Sequence, residues 1–208
     1  LKFVTELCPG AHGKAYVDTG PVMEKAWAQR SGIGWVGKHT NLITTDYGSW
    51  VFLGELILDV DLEYDEPALD HCGSCTLCIE ACPTVAIVEP YLLDATACIS
   101  FLTIEHRGEI ARELGEKFDR WIYGCDICQD VCPWNEKFAQ PTVRTEFAPR
   151  PELVAPRLGE VVSMGQEEFS RRFRKSTVKR TKFTGLARNA DLIIRTRSAK
   201  EENNGTPS

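Results

Sequence analysis

Seven of the nine cysteines in this 208-residue chain fall into two runs, each closing on Cys-Pro. The first, Cys72, Cys75, Cys78 and Cys82-Pro83, is CxxCxxCxxxCP without a mismatch. Thiolates at every third residue of a loop can wrap one [4Fe–4S] cubane, while the fourth cysteine is carried off by a helix start to a second cluster. The second run is Cys125, Cys128 and Cys132-Pro133. It has Ile122 where its first cysteine would stand, and Cys98 is the cysteine left to complete it. With the fourth cysteines exchanged, as in two-cluster ferredoxins, one cluster takes Cys72, Cys75, Cys78 and Cys132, and the other takes Cys82, Cys98, Cys125 and Cys128. The chemistry of such a pair is one-electron transfer. The competing reading is a pair of zinc sites, which rarely place three cysteines in one CxxCxxC loop followed by Cys-Pro. A disulfide framework does not repeat CxxC spacings in this way. Cys8 is left over, and as a lone thiol it reads as a small hydrophobe without a role.

Around these loops, 43% hydrophobic residues supply a core, and no apolar run of 18 or more residues is present. The N-terminus lacks the basic, apolar, small-residue order of a signal peptide, so the expectation is a soluble, cytoplasmic chain with no membrane partner. It starts at Leu1 in what reads as running sequence, which leads us to expect a segment upstream. Asp18-Thr19-Gly20-Pro21 before Val22 to Arg30 predicts a helix over about 21–31. Asn41 to Thr45 and Trp50 to Val60, split by Asp46-Tyr47-Gly48-Ser49, predict a hairpin. Glu109 to Trp121 predicts a helix between the cysteine runs, and Glu167 to Arg174 another beyond a linker marked by Pro149, Pro151 and Pro156. The last dozen residues read as disordered. The glycines at 32, 34 and 37 do not form a GxGxxG after a strand, so no dinucleotide is implied.

Charge is unevenly spread. Residues 1–170 hold 13 basic and 27 acidic side chains, and 171–208 hold 11 basic and 3 acidic, which makes the tail a candidate anion-binding surface. Its run of Arg171, Arg172, Arg174, Lys175, Lys179, Arg180, Lys182 and Arg188 is interleaved with Phe173 and Phe183.

Four further stretches carry a resemblance: Tyr16-Val17-Asp18-Thr19-Gly20-Pro21 with Glu24, Gly32-Ile33-Gly34-Trp35-Val36-Gly37-Lys38, Cys98-Ile99-Ser100-Phe101-Leu102-Thr103-Ile104-Glu105, and Tyr123-Gly124-Cys125-Asp126. Together with both cysteine runs, they make the chain resemble the epoxyqueuosine reductases, cobalamin-dependent iron–sulfur enzymes of tRNA queuosine synthesis, over roughly residues 5–195. The resemblance implies an α+β fold. A partial corrin-binding, nitroreductase-like α/β domain (1–66) would lead into a two-cluster bacterial ferredoxin-like domain (67–140), a short basic helical segment (141–197) and a disordered tail (198–208).

It further implies reduction of the epoxide of epoxyqueuosine at the tRNA wobble position, consuming two electrons from a low-potential donor and two protons. Asp18 matches the family's proton donor, which must be protonated near neutral pH and so needs a raised pKa. Without the family, Asp18 reads as a helix N-cap. Gly37, Lys38, His39 and Asn41 are candidates for holding cobalamin, and so is Ser100, beside Cys98. His39 as an axial ligand competes with a plain surface histidine. The basic run becomes a candidate for tRNA phosphates rather than for base readout. Two rivals remain: a plain ferredoxin-type electron carrier, which leaves Asp18 and the Gly-Trp-Val-Gly-Lys stretch idle, and a reductive dehalogenase, which uses a tyrosine donor.

Overall fold

Loops that must wrap a cluster cannot also build a wide sheet, and the strands of this protein are accordingly few and short. The computed structural model describes residues 1–204, with backbone alone for Glu152 and 200–204. Its elements in chain order are α1 (Lys2–Leu7), β1 (Gly13–Tyr16), α2 (Glu24–Arg30), β2 (Trp35–Val36), β3 (Leu42–Ile43), β4 (Glu55–Leu58), α3 (Leu77–Ala81), β5 (Ile87–Glu89), β6 (Leu92–Leu93), α4 (Ile99–Ile104), α5 (Arg112–Gly115), α6 (Ile127–Asp130), α7 (Pro133–Phe138), α8 (Leu158–Ser163), α9 (Gln166–Arg172) and α10 (Lys182–Asn204). The strands form two-stranded sheets, β1–β4, β2–β3 and β5–β6. The chain divides into two units, and both are discontinuous in sequence. One comprises Leu1–Ile79, Glu89–Leu92 and Cys128–Gln140; the other comprises Glu80–Val88, Leu93–Ile127 and the chain from Pro141 on. The linear boundaries read at 66/67 and 140/141 therefore differ from this division, because the cysteine runs thread through both units.

In the first unit β1 and β4 are antiparallel, Gly13 opposite Leu58 and Tyr16 opposite Glu55. β2 pairs with β3, Trp35 opposite Ile43. The hairpin expected between 41–45 and 50–60 does not form: β3 turns back onto β2, and the partner of β4 is β1. Gly34 explains the choice, since a Cβ there would lie 2.1 Å from the Ile43 carbonyl oxygen, so only glycine lets the two strands approach so closely. The reward is burial of Trp35 and Ile43, each 1% exposed, while Trp50 and Phe52 stay exposed. Full burial of such side chains contributes about 1.5–3 kcal/mol each. The helix expected at 21–31 appears as α2, begun at Glu24 with Pro21 ahead of it.

The second unit is organised on α10. Leu186, Ala190 and Ile193, at most 2% exposed, fall at helical spacing on one stripe. Leu186 and Ala190 pack with Val161, Met164, Phe169 and Phe173, and Ile193 packs with Ile99, Leu102 and Phe118. The long helix expected at 109–121 is reduced to the four residues of α5. The chain breaks to bury Phe118 completely, and Asp119 takes a left-handed φ of 49°. The helix expected near 167–174 is α9. Disorder expected from 198 is replaced by α10, which continues to Asn204 because its apolar stripe is anchored; residues 205–208 lie outside the described residues. No helix among the described residues is long and apolar enough to cross a membrane.

Candidate iron–sulfur sites

Cys72, Cys75, Cys78 and Cys132 converge within the first unit. They line a cavity of about 150 Å³ together with Lys38, His39, Ile43, His71 and Trp134. Each is fixed by a different device. Asp70 Oδ1 accepts the Cys72 N–H at 2.7 Å, and Asp70 Oδ2 accepts the Tyr91 hydroxyl. Lys38 is 8% exposed and its Nζ donates to the carbonyls of Gly73 (2.6 Å) and Cys75 (2.8 Å), pinning the loop between those thiols. Cys78 rides on α3. Cys132 is the N-cap of α7, with Pro133 at the first helical position, where no backbone donor is needed. α7 is located through Asn135, whose Nδ2 donates to Ser49 Oγ (2.8 Å) and to Gln129 O (2.8 Å) and whose Oδ1 accepts the Ser49 N–H (2.6 Å).

Burial pushes the Cys72 thiol up, against the Trp35 indole N–H, which donates to its Sγ at 3.5 Å. Burial also raises Cys78, helped by the charges of Cys72, Cys132 and Cys75. Thiols that resist one another's ionisation are what a cationic iron core neutralises on binding. Among the described residues no three His, Cys, Asp or Glu side chains are gathered tightly enough for a single metal ion. Four thiols around one cavity fit a cubane.

Three members of the second set, Cys82, Cys98 and Cys125, lie in the second unit, whereas Cys128 belongs to the first. Cys98 is the N-cap of α4 at φ −72°. Cys125 follows Gly124, and Cys82 precedes a turn in which its Sγ accepts the Ala86 N–H at 3.2 Å. Burial raises Cys125, as do the charges of Cys98, Asp126 and Cys82, against the Ile127 backbone N–H. Cys82 moves the other way: burial raises it, but the Thr84 hydroxyl and the backbone N–H groups of Ala86, Ile87 and Thr84 outweigh burial and leave it lowered. Cys128 follows Cys125 by three residues, on α6.

A buried polar network sets the spacing of Cys98 and Cys125. Thr103, on α4, accepts the Gly124 N–H through Oγ1 (3.0 Å), and its carbonyl accepts from Thr181 Oγ1 (2.7 Å) and Asn189 Nδ2 (2.9 Å). Asn189 Nδ2 also donates to Ile122 O at 2.9 Å. Thr103, Thr181 and Asn189 are fully buried and satisfied, the condition under which such a network rigidifies a site.

The other residues singled out in the sequence are placed as follows. Gly37 N donates to Asn41 O and Thr40 N to Gly37 O, both at 2.8 Å, so 37–41 is a tight turn. His39 is buried within it, contrary to the reading of a surface histidine. Its Nδ1 accepts the Asn41 N–H at 3.1 Å, and its Nε2 has no partner among the described residues. Ser100 is half-buried on α4, its carbonyl accepting from Thr103 Oγ1. Asp18 is exposed at φ 60° between β1 and α2, so it does not serve as the N-cap of α2, where Met23 stands. Arg171, Arg174, Lys175, Lys179 and Lys182 are exposed and Arg172 half-buried, whereas Arg180 pairs with Glu105. Arg188 is turned inward, donating to the carbonyls of Leu102, His106 and Gly108, which corrects its assignment as a phosphate contact: burial of its stem makes it a brace. Sequence reasoning passed over Trp134, Asn135, Asp70 and Asn189. Only Trp134, directly after a Cys-Pro, carried a local signal.

Burial depresses His39 from 6.5 to about 4, the charge of Lys25 adding to it and its own backbone opposing. A histidine harder to protonate folded than unfolded contributes fully above the unfolded value, and that contribution is lost as pH falls from 6.5 through about 4. The loss is on the order of 3 kcal/mol at about 1.4 kcal/mol per unit. Anaerobic urea midpoints from pH 7 down to 4.5 should fall more steeply for the natural protein than for His39→Phe; parallel curves would contradict it.

Comparison with known proteins agrees with this geometry. Residues 71–135 match the 4Fe-4S double cluster binding domain family. Epoxyqueuosine reductase of Cellulophaga algicola is 50% identical over 192 residues, covering 92% of this chain and 62% of that protein. A crystal structure of epoxyqueuosine reductase with a tRNA-Tyr epoxyqueuosine-modified stem loop superposes with a TM-score of 0.87 at 36% identity, covering 94% of this chain and 52% of that one. A Bacillus subtilis epoxyqueuosine reductase, with a catalytic aspartate loop swung out of the active site, gives 0.87 at 33% identity, covering 100% of this chain and 56% of its own. The chain thus spans between half and two thirds of the length of these proteins. Over the residues it spans, this chain is similar to the epoxyqueuosine reductases.

Proposed function

We propose that the protein reduces the epoxide of epoxyqueuosine in tRNA to give queuosine and water. Electrons would come from a low-potential donor through two [4Fe–4S] clusters, with cobalamin as the cofactor at the substrate. The observation that carries this reading is the convergence of four cysteines on one cavity in a chain half identical to a named epoxyqueuosine reductase. In this reading the ligand sets are Cys72, Cys75, Cys78, Cys132 and Cys82, Cys98, Cys125, Cys128, and the residues before the cysteines belong to a nitroreductase-like corrin-binding domain of a cytoplasmic enzyme.

Cobalamin, when bound, supplies a low-valent cobalt that donates electrons to the strained C–O bond. The candidate residues for holding it are Gly37, Lys38, His39 and Asn41 in the turn of the first unit and, as a separate candidate, Ser100 on α4. The first unit also exposes Val17, Trp27 and Phe52, apolar surface of the kind a corrin face covers. Lys38 contributes there through its backbone, since its ammonium is held by the cluster loop.

Asp18 Oδ supplies the proton that the alkoxide oxygen needs on ring opening, the step at which a positioned acid contributes most. Asp18 stands on an exposed loop between β1 and α2, and a Bacillus subtilis relative has a catalytic aspartate loop swung out of its active site.

Protein reduced anaerobically with cobalamin present should be reoxidised, read in the visible absorption of its clusters, by a stem loop carrying epoxyqueuosine and not by one carrying queuosine. Reoxidation by both, or by neither, would overturn the assignment.

The tRNA reading also separates the basic residues into two kinds. Replacing Arg171, Arg174, Lys175 and Lys179 together by alanine should weaken stem-loop binding and flatten its salt dependence by about four phosphate contacts. Arg188→Ala should instead lower stability by roughly 1–3 kcal/mol, by removing the donors to the partly buried carbonyls of Leu102 and His106. Filter binding from 50 to 300 mM salt and urea midpoints distinguish the two kinds; an unchanged salt slope in the quadruple variant would remove this surface from the interface.

A further inference from the structure

Three hydrogen-bond donors gather on the loop of Cys72, Cys75 and Cys78 and the cavity beside it, and one of them finds no acceptor among the described residues. The Trp35 indole N–H donates to Cys72 Sγ at 3.5 Å, from a side chain only 1% exposed. Lys38 spends two of its three N–H donors on the carbonyls of Gly73 and Cys75, which places an ammonium against the cluster loop. Asp70, the carboxylate influenced by that ammonium, is engaged by the Cys72 amide and the Tyr91 hydroxyl.

His39 completes the set. Because Nδ1 accepts the Asn41 N–H, the ring proton of the neutral imidazole resides on Nε2. That N–H is buried and has no acceptor among the described residues, and His39 is one of the residues lining the same cavity. A buried donor left without an acceptor is costly, and cluster sulfur is the acceptor this cavity would supply.

We propose that Trp35, Lys38 and His39 form a donor wall that raises the reduction potential of the cluster held by Cys72, Cys75, Cys78 and Cys132. Reduction adds negative charge to the cubane, and hydrogen bonds to its sulfurs together with a nearby cation stabilise that charge. The wall thereby makes this cluster a better electron acceptor than thiolate ligation alone would. The inference rests on the reading that the cavity holds a [4Fe–4S] cluster.

The test is an anaerobic redox titration of the cluster-loaded protein followed by EPR, with this cluster's signal identified as the one lost in Cys72→Ala. Trp35→Phe, His39→Phe and Lys38→Met should each move that midpoint to lower potential and leave the other cluster's midpoint in place. Loss of one donor is expected to change the ratio of reduced to oxidised cluster at fixed potential about tenfold, ~59 mV for a one-electron couple. Trp35→Phe preserves an aromatic body of similar shape, so the potential remains readable even where Lys38→Met loosens the loop. Unchanged midpoints in Trp35→Phe and His39→Phe at full iron content would overturn the donor wall. Two intact cluster signals in Cys72→Ala would instead overturn the placement of the cluster, a separate failure.

Discussion

Cys98→Ala is expected to lose one cluster and keep the other, with iron content near half that of the natural protein and turnover reduced to background. The helix itself gives no reason for wider damage. Cys98 caps α4 by its backbone alone, with no side-chain hydrogen bond to the helix, so alanine removes a ligand and nothing else. α4 stays tied to the Tyr123–Cys125 loop by Thr103 and to α10 by Asn189, both untouched. The cavity of Cys72, Cys75, Cys78 and Cys132 contains no atom of Cys98 and should hold its cubane as before. A cluster left with three thiolates decays or rearranges, and a one-electron path with a missing site does not deliver the two electrons that epoxide reduction needs. Iron and sulfide analysis with EPR of the reduced protein checks this; two intact cubanes would show the ligand partition to be wrong.

Asp18→Asn is expected to abolish most of the turnover, by about 10² to 10⁴, which is the range contributed by a positioned general acid. Asparagine is the better substitution because Asp18 sits at φ 60°, a left-handed conformation that asparagine tolerates and alanine does not adopt freely. Asp18→Ala therefore adds a backbone strain of about 1 kcal/mol to the chemical loss. Both variants should retain their clusters, since Asp18 lies on the β1–α2 loop, apart in sequence from every cysteine of the two sets. Full activity in Asp18→Asn would remove the carboxyl from the proton-transfer step.

The cysteine chemistry was legible because thiolate spacing is a local property: the loop from Cys72 to Cys78 must wrap what it binds, whatever the rest of the chain does. The exchange of Cys132 into the first set was legible for the same reason, since a Cys-Pro starts a helix that points its cysteine away from its own run. The hairpin reading failed because β-prone residues say that a strand forms and not which strand it pairs with; Gly34, by admitting the Ile43 carbonyl, made that decision. The α5 region failed because helical propensity over 109–121 yields to the burial of Phe118. Lys38 and Arg188 show the same limit for charges. In sequence Lys38 is a candidate for holding cobalamin and Arg188 one of a basic run facing tRNA phosphates, whereas the structure turns both onto carbonyls through contacts 35 to 86 residues away. His39 was noticed for its ring and placed at the surface, since nothing local announces that the 37–41 turn is buried.

The most direct test of the proposed activity is mass spectrometry of nucleosides from epoxyqueuosine-containing tRNA after anaerobic incubation with the cluster-loaded protein, extended to the full length of its relatives, with cobalamin and a low-potential reductant. The account predicts loss of one oxygen, epoxyqueuosine giving queuosine. Unchanged epoxyqueuosine, with both clusters and cobalamin verified as bound, would contradict it and point to a corrinoid reductase acting on another substrate.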